Sequence, residues 1–307
     1  MMELAIVTRR AVAVLRNRGL VIERVYLGTF LSALEMAGVS LSVLPVDERR
    51  LARLDASTDA PAWTGAAAHL RTQAAPPPEP LPVPAAPPTS THPHTRLGEA
   101  LEAVIQAGAK ALIGEGPRLT QMDRVVGDGD LGISLERGAR AALQSLLSYP
   151  LDDPAATLHA LGVTLQRAVG GTSGPLYAVF FLRASGSLRR GNPANPSTWA
   201  EAFQAGCSAI AELGGAAQGD RTMLDALLPA ANAFQEVVHS GRSVSDALHA
   251  AAAAAAAGAR ATADLLPRRG RSSYLGTRAV GHVDPGAEAV SVWLGAVSQV
   301  VVGLRSS

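Results

Sequence analysis

The spacing of apolar residues divides the chain into two regions of different character. From residue 96 onward the pattern is helical almost throughout. Leu97, Leu101, Val104, Ile105, Gly108 and Leu112 share one helical face. The same period predicts helices over 135–147, 156–168, 175–188, 199–213, 223–239, 244–266 and 287–304. Two-residue alternation, the mark of a half-buried strand, is almost absent there. Before residue 65 the pattern is mixed. Leu4, Val7, Ala11, Val14 and Leu15 recur at helical spacing, with Gly19 placed to stop the helix. Residues 21–26 and 39–46 predict short strands, and 30–36 a helical or turn segment. So few elements bury too little surface for an independent sheet, so this segment reads as part of something larger. Between the two regions, Ala74 to His94 is rich in Pro, Ala, Thr and Ser. Pro78, Pro80, Pro82, Pro84, Pro87 and Pro88 predict an extended spacer. The expectation is a mainly α protein: a small incomplete α/β segment over 1–65, a Pro/Ala-rich linker over 66–95, and a helical domain over 96–307.

Composition narrows the function classes. With 48% apolar residues in 307, a real core is available, and a net charge of +1 suggests neither a nucleic-acid binder nor a polyanionic tail. Cys207 is the only cysteine, which excludes a disulfide framework and a cysteine zinc site and fits a reducing compartment. Glu3, Arg9 and Arg10 do not form a basic-then-apolar leader. Residues 247–266 are apolar for most of their length, but His249, Arg260 and Asp264 interrupt them. They predict a closely packed helix rather than a membrane span. A cytoplasmic protein is expected.

The chemistry is concentrated between Asp123 and Gly132. Asp123, Asp128 and Asp130 are acceptor-only carboxylates, with Gly127, Gly129 and Gly132 among them. Carboxylates this close repel one another unless a cation sits between them, and hard divalent ions such as Mg²⁺ take such ligands together with phosphate oxygens. A solvated acidic turn is the alternative for the loop taken alone. The three glycines also match G-x-G-x-x-G, but Asp128 and Asp130 would repel a bare pyrophosphate. The residues before them, 113–121, carry two glycines and a proline and do not read as a strand, so the dinucleotide reading is set aside.

Glycine-bearing polar junctions fall between the predicted helices, at 170–174, 219–223, 270–274 and 282–286. Helix N-termini preceded by glycine offer free N–H groups and a dipole that favours anions. Gathered at one end of a helical barrel or bundle, they would form a phosphate-binding rim.

At these residues the sequence resembles the dihydroxyacetone kinase family, in particular its nucleotide-binding L-type domain, from about Arg96 to the C-terminus. The motifs in order are 123–132, Gly-Gly-Thr-Ser-Gly-Pro-Leu-Tyr at 170–177, Gly-Asp-Arg-Thr-Met-Leu-Asp at 219–225, Gly-Arg-Ser-Ser-Tyr-Leu-Gly at 270–276, and Gly-His-Val-Asp-Pro-Gly-Ala at 281–287. The resemblance implies an eight-helix antiparallel barrel with ATP or ADP at one end. Two Mg²⁺ ions would be held by Asp123, Asp128 and Asp130. It further implies a phosphate cradle at Leu131, Gly132, Ile133 and Ser134, phosphate contacts from Ser173 and Gly174, and an adenine and ribose side at Gly214, Thr222 and Met223. Arg271 with Asp284, Pro285 and Gly286 would complete the pocket. Many members carry histidine where this chain has Leu131, so only a backbone contribution is expected there.

The segment Val25–Leu41 resembles the late portion of the family's substrate-binding K-type domain. The resemblance implies that most of that domain, including the histidine that forms a hemiaminal with dihydroxyacetone, is not in this chain. His69, His92 and His94 lie past the matched segment and do not replace it. No catalytic residue is therefore expected here, and the triose acceptor is expected on a K-type domain or subunit. A homodimer or a K-type partner is implied, with no nucleic acid and no membrane. Three functions follow: an ATP-dependent kinase part, an ADP-retaining subunit of a phosphotransferase-dependent kinase, and a nucleotide-binding regulatory protein. Some members also split FAD, on which the sequence is silent.

Other residues carry plainer readings. Arg268 and Arg269 read as a solvated helix end, His282 as a structural loop residue, Tyr274 as a packing residue and Cys207 as a small buried apolar residue. Glu35 and Glu136 read as surface or cap residues, and Asp220 as a residue that orders its loop.

Overall fold

The structure is a computed structural model that describes residues 2–27, 41–56, 58 and 95–304. The expected 30–36 segment, Glu35 and residues 66–94 of the expected linker lie outside the described residues. The chain divides into two compact units, Met1–Ala85 and Ala86–Ser307.

In the first unit, α1 spans Met2–Asn17 and stops where Gly19 takes a φ of +81°. A second helix, α2, spans Glu48–Leu54 and begins at Asp47, whose side chain accepts the Arg50 N–H. Arg24 grips Asp55 with two hydrogen bonds, of 3.0 and 2.8 Å. Neither predicted strand forms: 21–26 and the described part of 39–46 carry no strand pairing. A strand exists only by hydrogen bonding to another, and none is available among the described residues. Val21, Leu41, Val43 and Leu44, the apolar residues behind that expectation, are exposed.

The second unit is helical: α3 Arg96–Val126, α4 Leu131–Ser145, α5 Pro154–Ala168, α6 Ser173–Leu188, α7 Pro196–Gly214, α8 Leu224–His239, α9 Val244–Ala261 and α10 Pro285–Leu304. Each packs on its neighbours in sequence, and α10 also packs on α3, so the order of contacts is cyclic. The connections from α3 through α9 are short, which favours antiparallel neighbours, whereas α9 and α10 are joined by the long segment 262–284. Side-chain caps set several starts: Thr95, Asp153, Asn195 and Ser243 each accept a first-turn N–H, a contribution of about 1 kcal/mol apiece.

Two features were not foreseen. The first helix continues through Gly114, Gly116 and Pro117 to Val126. An interior proline costs about 3 kcal/mol, whereas burying Leu119 and Val126 returns about 1.5–3 kcal/mol each. Burial wins, and the extension carries Asp123 to its place. The alanine-rich α9 is shorter than expected, ending at Ala261. Its Ala247, Ala251, Ala255 and Ala259 form an i, i+4 stripe with no exposed surface, and Ala226, Ala230 and Ala231 of α8 are equally buried. Alanine here permits close approach. A Cβ on Gly258 would strike the Asp225 carbonyl of α8.

The helices frame a partly open cavity of about 620 Å³, lined by apolar side chains such as Leu101, Ile105, Phe181 and Trp199. No described helix is long and apolar enough to cross a membrane.

Candidate functional site

The end of α3 and the start of α4 build the acidic cluster. Asp123 is buried in the last turn of α3, and its Oδ2 accepts the N–H groups of Asp130 and Leu131 at 3.0 and 3.1 Å. Glycine is required at Gly127 because a Cβ there would meet the Asp123 carboxylate, and Gly129 sits at a φ of +77°. The loop folds back so that Asp123, Asp128 and Asp130 each bring a carboxylate oxygen within 4.8 Å of the others. Burial, then the charges of Asp128 and Asp123, push the Asp130 carboxyl above its ordinary value, while Arg271 pulls it back. Among the described residues one cation is paired with the cluster: Arg271 Nη2 lies 3.1 Å from Asp128 Oδ2. Three carboxylates against one exposed guanidinium leave an excess of negative charge, and the all-oxygen donor set fits a hard divalent ion.

Asp130 is the residue before α4, so the predicted cradle is that helix's first turn. Leu131 donates its N–H to Asp123 and Ser134 donates to the Asp130 carbonyl at 2.9 Å. The N–H groups of Gly132 and Ile133 have no partner among the described residues, which is the ordinary state of a helix N-terminus and suits an anion. Gly132 lies against α3, where a Cβ would collide with the Gly116 carbonyl and Thr120. The Leu131 N–H, expected to face phosphate, is instead occupied by Asp123.

Of the other predicted residues, the 170–174 junction lies beside this turn, and the rest make contacts of their own. A Cβ on Gly170 would stand 3.5 Å from the Ser134 hydroxyl, placing the 170–174 junction beside the cradle. Ser173 and Gly174 open α6, and Leu176 of the same helix reaches to 3.6 Å from where a Gly214 Cβ would lie. Met223 and Gly286 are neighbours, 3.7 Å apart at the corresponding Cβ positions. Thr222 donates its N–H to Asp225 Oδ2 at 2.8 Å, and Asp225 also accepts the Gly219 N–H. Asp225 thus orders its own loop and stays outside the acidic cluster.

Asp284 is buried and caps α10, accepting the Ala287 N–H at 2.8 Å ahead of Pro285. Burial lifts its carboxyl to about 6, against opposing pulls from the Ala287 N–H and the Arg221 charge. Its own N–H goes to Thr262 Oγ1 at 2.8 Å. Sequence reading missed Arg221 and Thr262, both with no exposed surface. Arg221 adopts a φ of +62°, the one positive φ outside glycine among the described residues. Its place in Gly-Asp-Arg-Thr-Met drew attention to the loop but did not show that the arginine turns inward.

Some plain readings change. Tyr274, expected to pack, is 65% exposed. Arg268 and Arg269 lie in a loop beyond the end of α9, where Arg268 donates its N–H to the Asp220 carbonyl at 3.1 Å. Asp220 Oδ2 accepts the Ala217 N–H, Glu136 pairs with Arg140, and Cys207 is buried with its thiol pushed up to about 12 by desolvation. His282 is exposed and contributes its backbone carbonyl to Arg221.

Comparison with known proteins decides the family. The model described as "DAK2 domain" matches residues 125–299, more than half of the chain, and that described as "Dak1 domain" matches 1–62. The chain belongs to the dihydroxyacetone kinase family. It is 37% identical over 308 residues to the triokinase/FMN cyclase of Mus musculus, an alignment covering 98% of this chain and 52% of that protein. It is 35% identical over 176 residues to the ADP-binding subunit DhaL of the PEP-dependent dihydroxyacetone kinase of Escherichia coli, covering 57% of this chain and 84% of the subunit. Among solved structures, it is similar to the dihydroxyacetone kinase of C. freundii in complex with AMP-PNP and Mg²⁺. That match has 29% identity and a TM-score of 0.53, over 68% of this chain and 36% of the other. The chain spans about half the length of the curated relatives that it matches from end to end. Kinases are thus what its relatives are named, and the helical fold is what it shares with them.

Proposed function

We propose that residues 96–307 are the Mg·ATP-binding domain of an ATP-dependent dihydroxyacetone kinase, with 1–65 belonging to a K-type domain and 66–95 linking the two. The γ-phosphoryl group passes from ATP to a hydroxyl of dihydroxyacetone or a related triose held on a K-type domain. The P–O bond to ADP breaks, a P–O bond to the acceptor oxygen forms, and the hydroxyl proton leaves. The observation that carries this reading is the convergence of the Asp123, Asp128 and Asp130 oxygens at the N-terminus of α4. Mg²⁺, two ions in this proposal, supplies neutralisation of phosphate charge when bound. Asp123 fixes the loop through two N–H groups, and Asp128 and Asp130 present the more exposed carboxylates. The Gly132 and Ile133 N–H groups and Ser134 face the phosphates, with Ser173 and Gly174 alongside. Arg271 exchanges its contact with Asp128 for phosphate oxygens. Gly214, Thr222 and Met223 shape the nucleoside side, and Asp284, Pro285 and Gly286 form its wall.

The test is titration calorimetry of the full chain with Mg·ATP, then phosphorylation of dihydroxyacetone with and without an added K-type domain from a relative. Mg-dependent binding and transfer to the K-type-bound triose are expected. Failure to bind Mg·ATP or Mg·ADP would overturn the reading.

The similarity to the E. coli ADP-binding subunit favours a second reading, in which ADP stays bound and is rephosphorylated in place. Exchange of a labelled nucleotide separates them: rapid exchange marks a free-ATP kinase, and retention through gel filtration marks a bound coenzyme.

A further inference from the structure

Arg221 is a long cationic side chain with no exposed surface, held on a backbone of φ +62°. A non-glycine residue in the left-handed region carries strain, which persists only where surrounding contacts impose it. The contacts are three backbone carbonyls from two segments. Nε donates to Thr262 O at 3.3 Å, and Nη2 donates to Ala279 O at 3.1 Å and to His282 O at 2.8 Å. Nη1 is buried without a partner. The opposite charge of Asp284 acts on it, and the Asp284 N–H is tied to the Thr262 hydroxyl.

We propose that Arg221 is a positioning residue for the nucleotide site. It does not touch the nucleotide. It clamps the loop that bears Thr222 and Met223 to the end of α9 and to the segment running from Arg271 to Gly286. The carbonyls of Ala279 and His282 bracket the turn between Arg271 and Asp284, so one guanidinium sets the spacing between two walls of the pocket. Met223 already rests against Gly286 across that spacing. The acidic cluster is built by the α3–α4 loop and meets this frame through the exposed Arg271–Asp128 pair, with the Arg118–Glu288 pair and the packing of α3 on α10 alongside. Neither ion pair involves Arg221, so metal affinity and nucleotide affinity respond separately. A lysine at 221 would keep the charge but offer one ammonium in place of a planar fork with five donors, and would leave carbonyls unmet. The inference rests on the nucleotide reading given above.

The experiment compares the full-length wild type with Arg221→Lys. Mn²⁺ binding, read by electron paramagnetic resonance without nucleotide, reports the acidic cluster. Calorimetry with Mg·ADP reports the assembled pocket. The expected result is unchanged Mn²⁺ affinity with Mg·ADP affinity weakened about 10- to 100-fold, the usual consequence of removing a supporting residue behind a ligand site. Equal Mg·ADP affinity in a folded Arg221→Lys protein would overturn the inference alone. Absence of Mg·ADP binding by the wild type would overturn both it and the nucleotide reading. Should Arg221→Lys fail to fold, hydrogen exchange of the wild type with and without Mg·ADP decides. Amides of 216–223 and 262–286 should gain protection together, and protection confined to one of them would overturn the clamp.

Discussion

Arg271 Nη2 lies 3.1 Å from Asp128 Oδ2, joining the turn after α9 to the acidic loop between α3 and α4. Both side chains are substantially exposed, so the pair contributes at most about 0.2–1 kcal/mol to stability. Under the nucleotide reading proposed above, its value lies in placement: the guanidinium would meet a phosphate beside the three carboxylates. Arg271→Met is expected to leave the melting temperature nearly unchanged while weakening Mg·ADP binding at least about tenfold, as loss of a charge-assisted contact does. Calorimetry beside a thermal melt checks this, and a large fall in melting temperature would show a structural role instead.

Asp123 and Asp128 should separate by their side effects. Asp123→Ala strands the N–H groups of Asp130 and Leu131, at a cost of about 1–3 kcal/mol. Asp128→Ala removes a half-exposed charge from a crowded cluster and should leave stability unchanged. Both should abolish Mg-dependent nucleotide binding, and EDTA should do the same to the wild type. Urea unfolding and calorimetry on the two variants read both effects. Unaltered nucleotide affinity in Asp128→Ala would count against the site.

Gly132 and Gly114 form a matched pair of helix glycines. Gly132→Ala drives a Cβ into the Gly116 carbonyl and Thr120, and should destabilise by about 1–3 kcal/mol while displacing the cradle. An added Cβ at Gly114 meets nothing within 4 Å, so Gly114→Ala should stabilise by about 0.5–1 kcal/mol. Denaturant midpoints compare them directly. Equal behaviour would mean that α3 and α4 are not in close contact.

The buried cap of α10 predicts a pH dependence. Asp284 is raised from 3.8 to about 6 in the folded protein, so folding takes up a proton between those values. The stabilisation from the protonated form is fully present below about pH 3.8 and is lost as pH rises through 6. A rise of that size is worth about 3 kcal/mol. Asn accepts the Ala287 N–H without ionising, so Asp284→Asn should gain on the wild type by about that amount between pH 4 and pH 7.5. Urea unfolding at the two pH values measures it, and a pH-independent difference would refute the assignment.

Much of this was legible in the chain. The 3.6-residue period gave the helices from 96 onward because an amphipathic helix writes its buried face into local spacing. The trio Asp123, Asp128 and Asp130 was legible because carboxylates so near in sequence cannot avoid one another in space. The strands expected at 21–26 and over the described residues 41–46 do not form because alternation records what a segment can pair with, and pairing needs a partner strand. The run through Pro117 was not foreseen because local propensity opposes it and only burial of Leu119 and Val126 reverses the balance.

The sequence alone therefore determined the helical class, the acidic turn and the family, all properties of residues close along the chain. Tertiary structure decided that Leu131 gives its N–H to Asp123, that Tyr274 is exposed, and that Arg221 turns inward to hold Thr262, Ala279 and His282. Those three carbonyls lie 41 to 61 residues away from Arg221. A buried guanidinium is tolerable only when distant backbone acceptors converge on it, and no local pattern records that convergence.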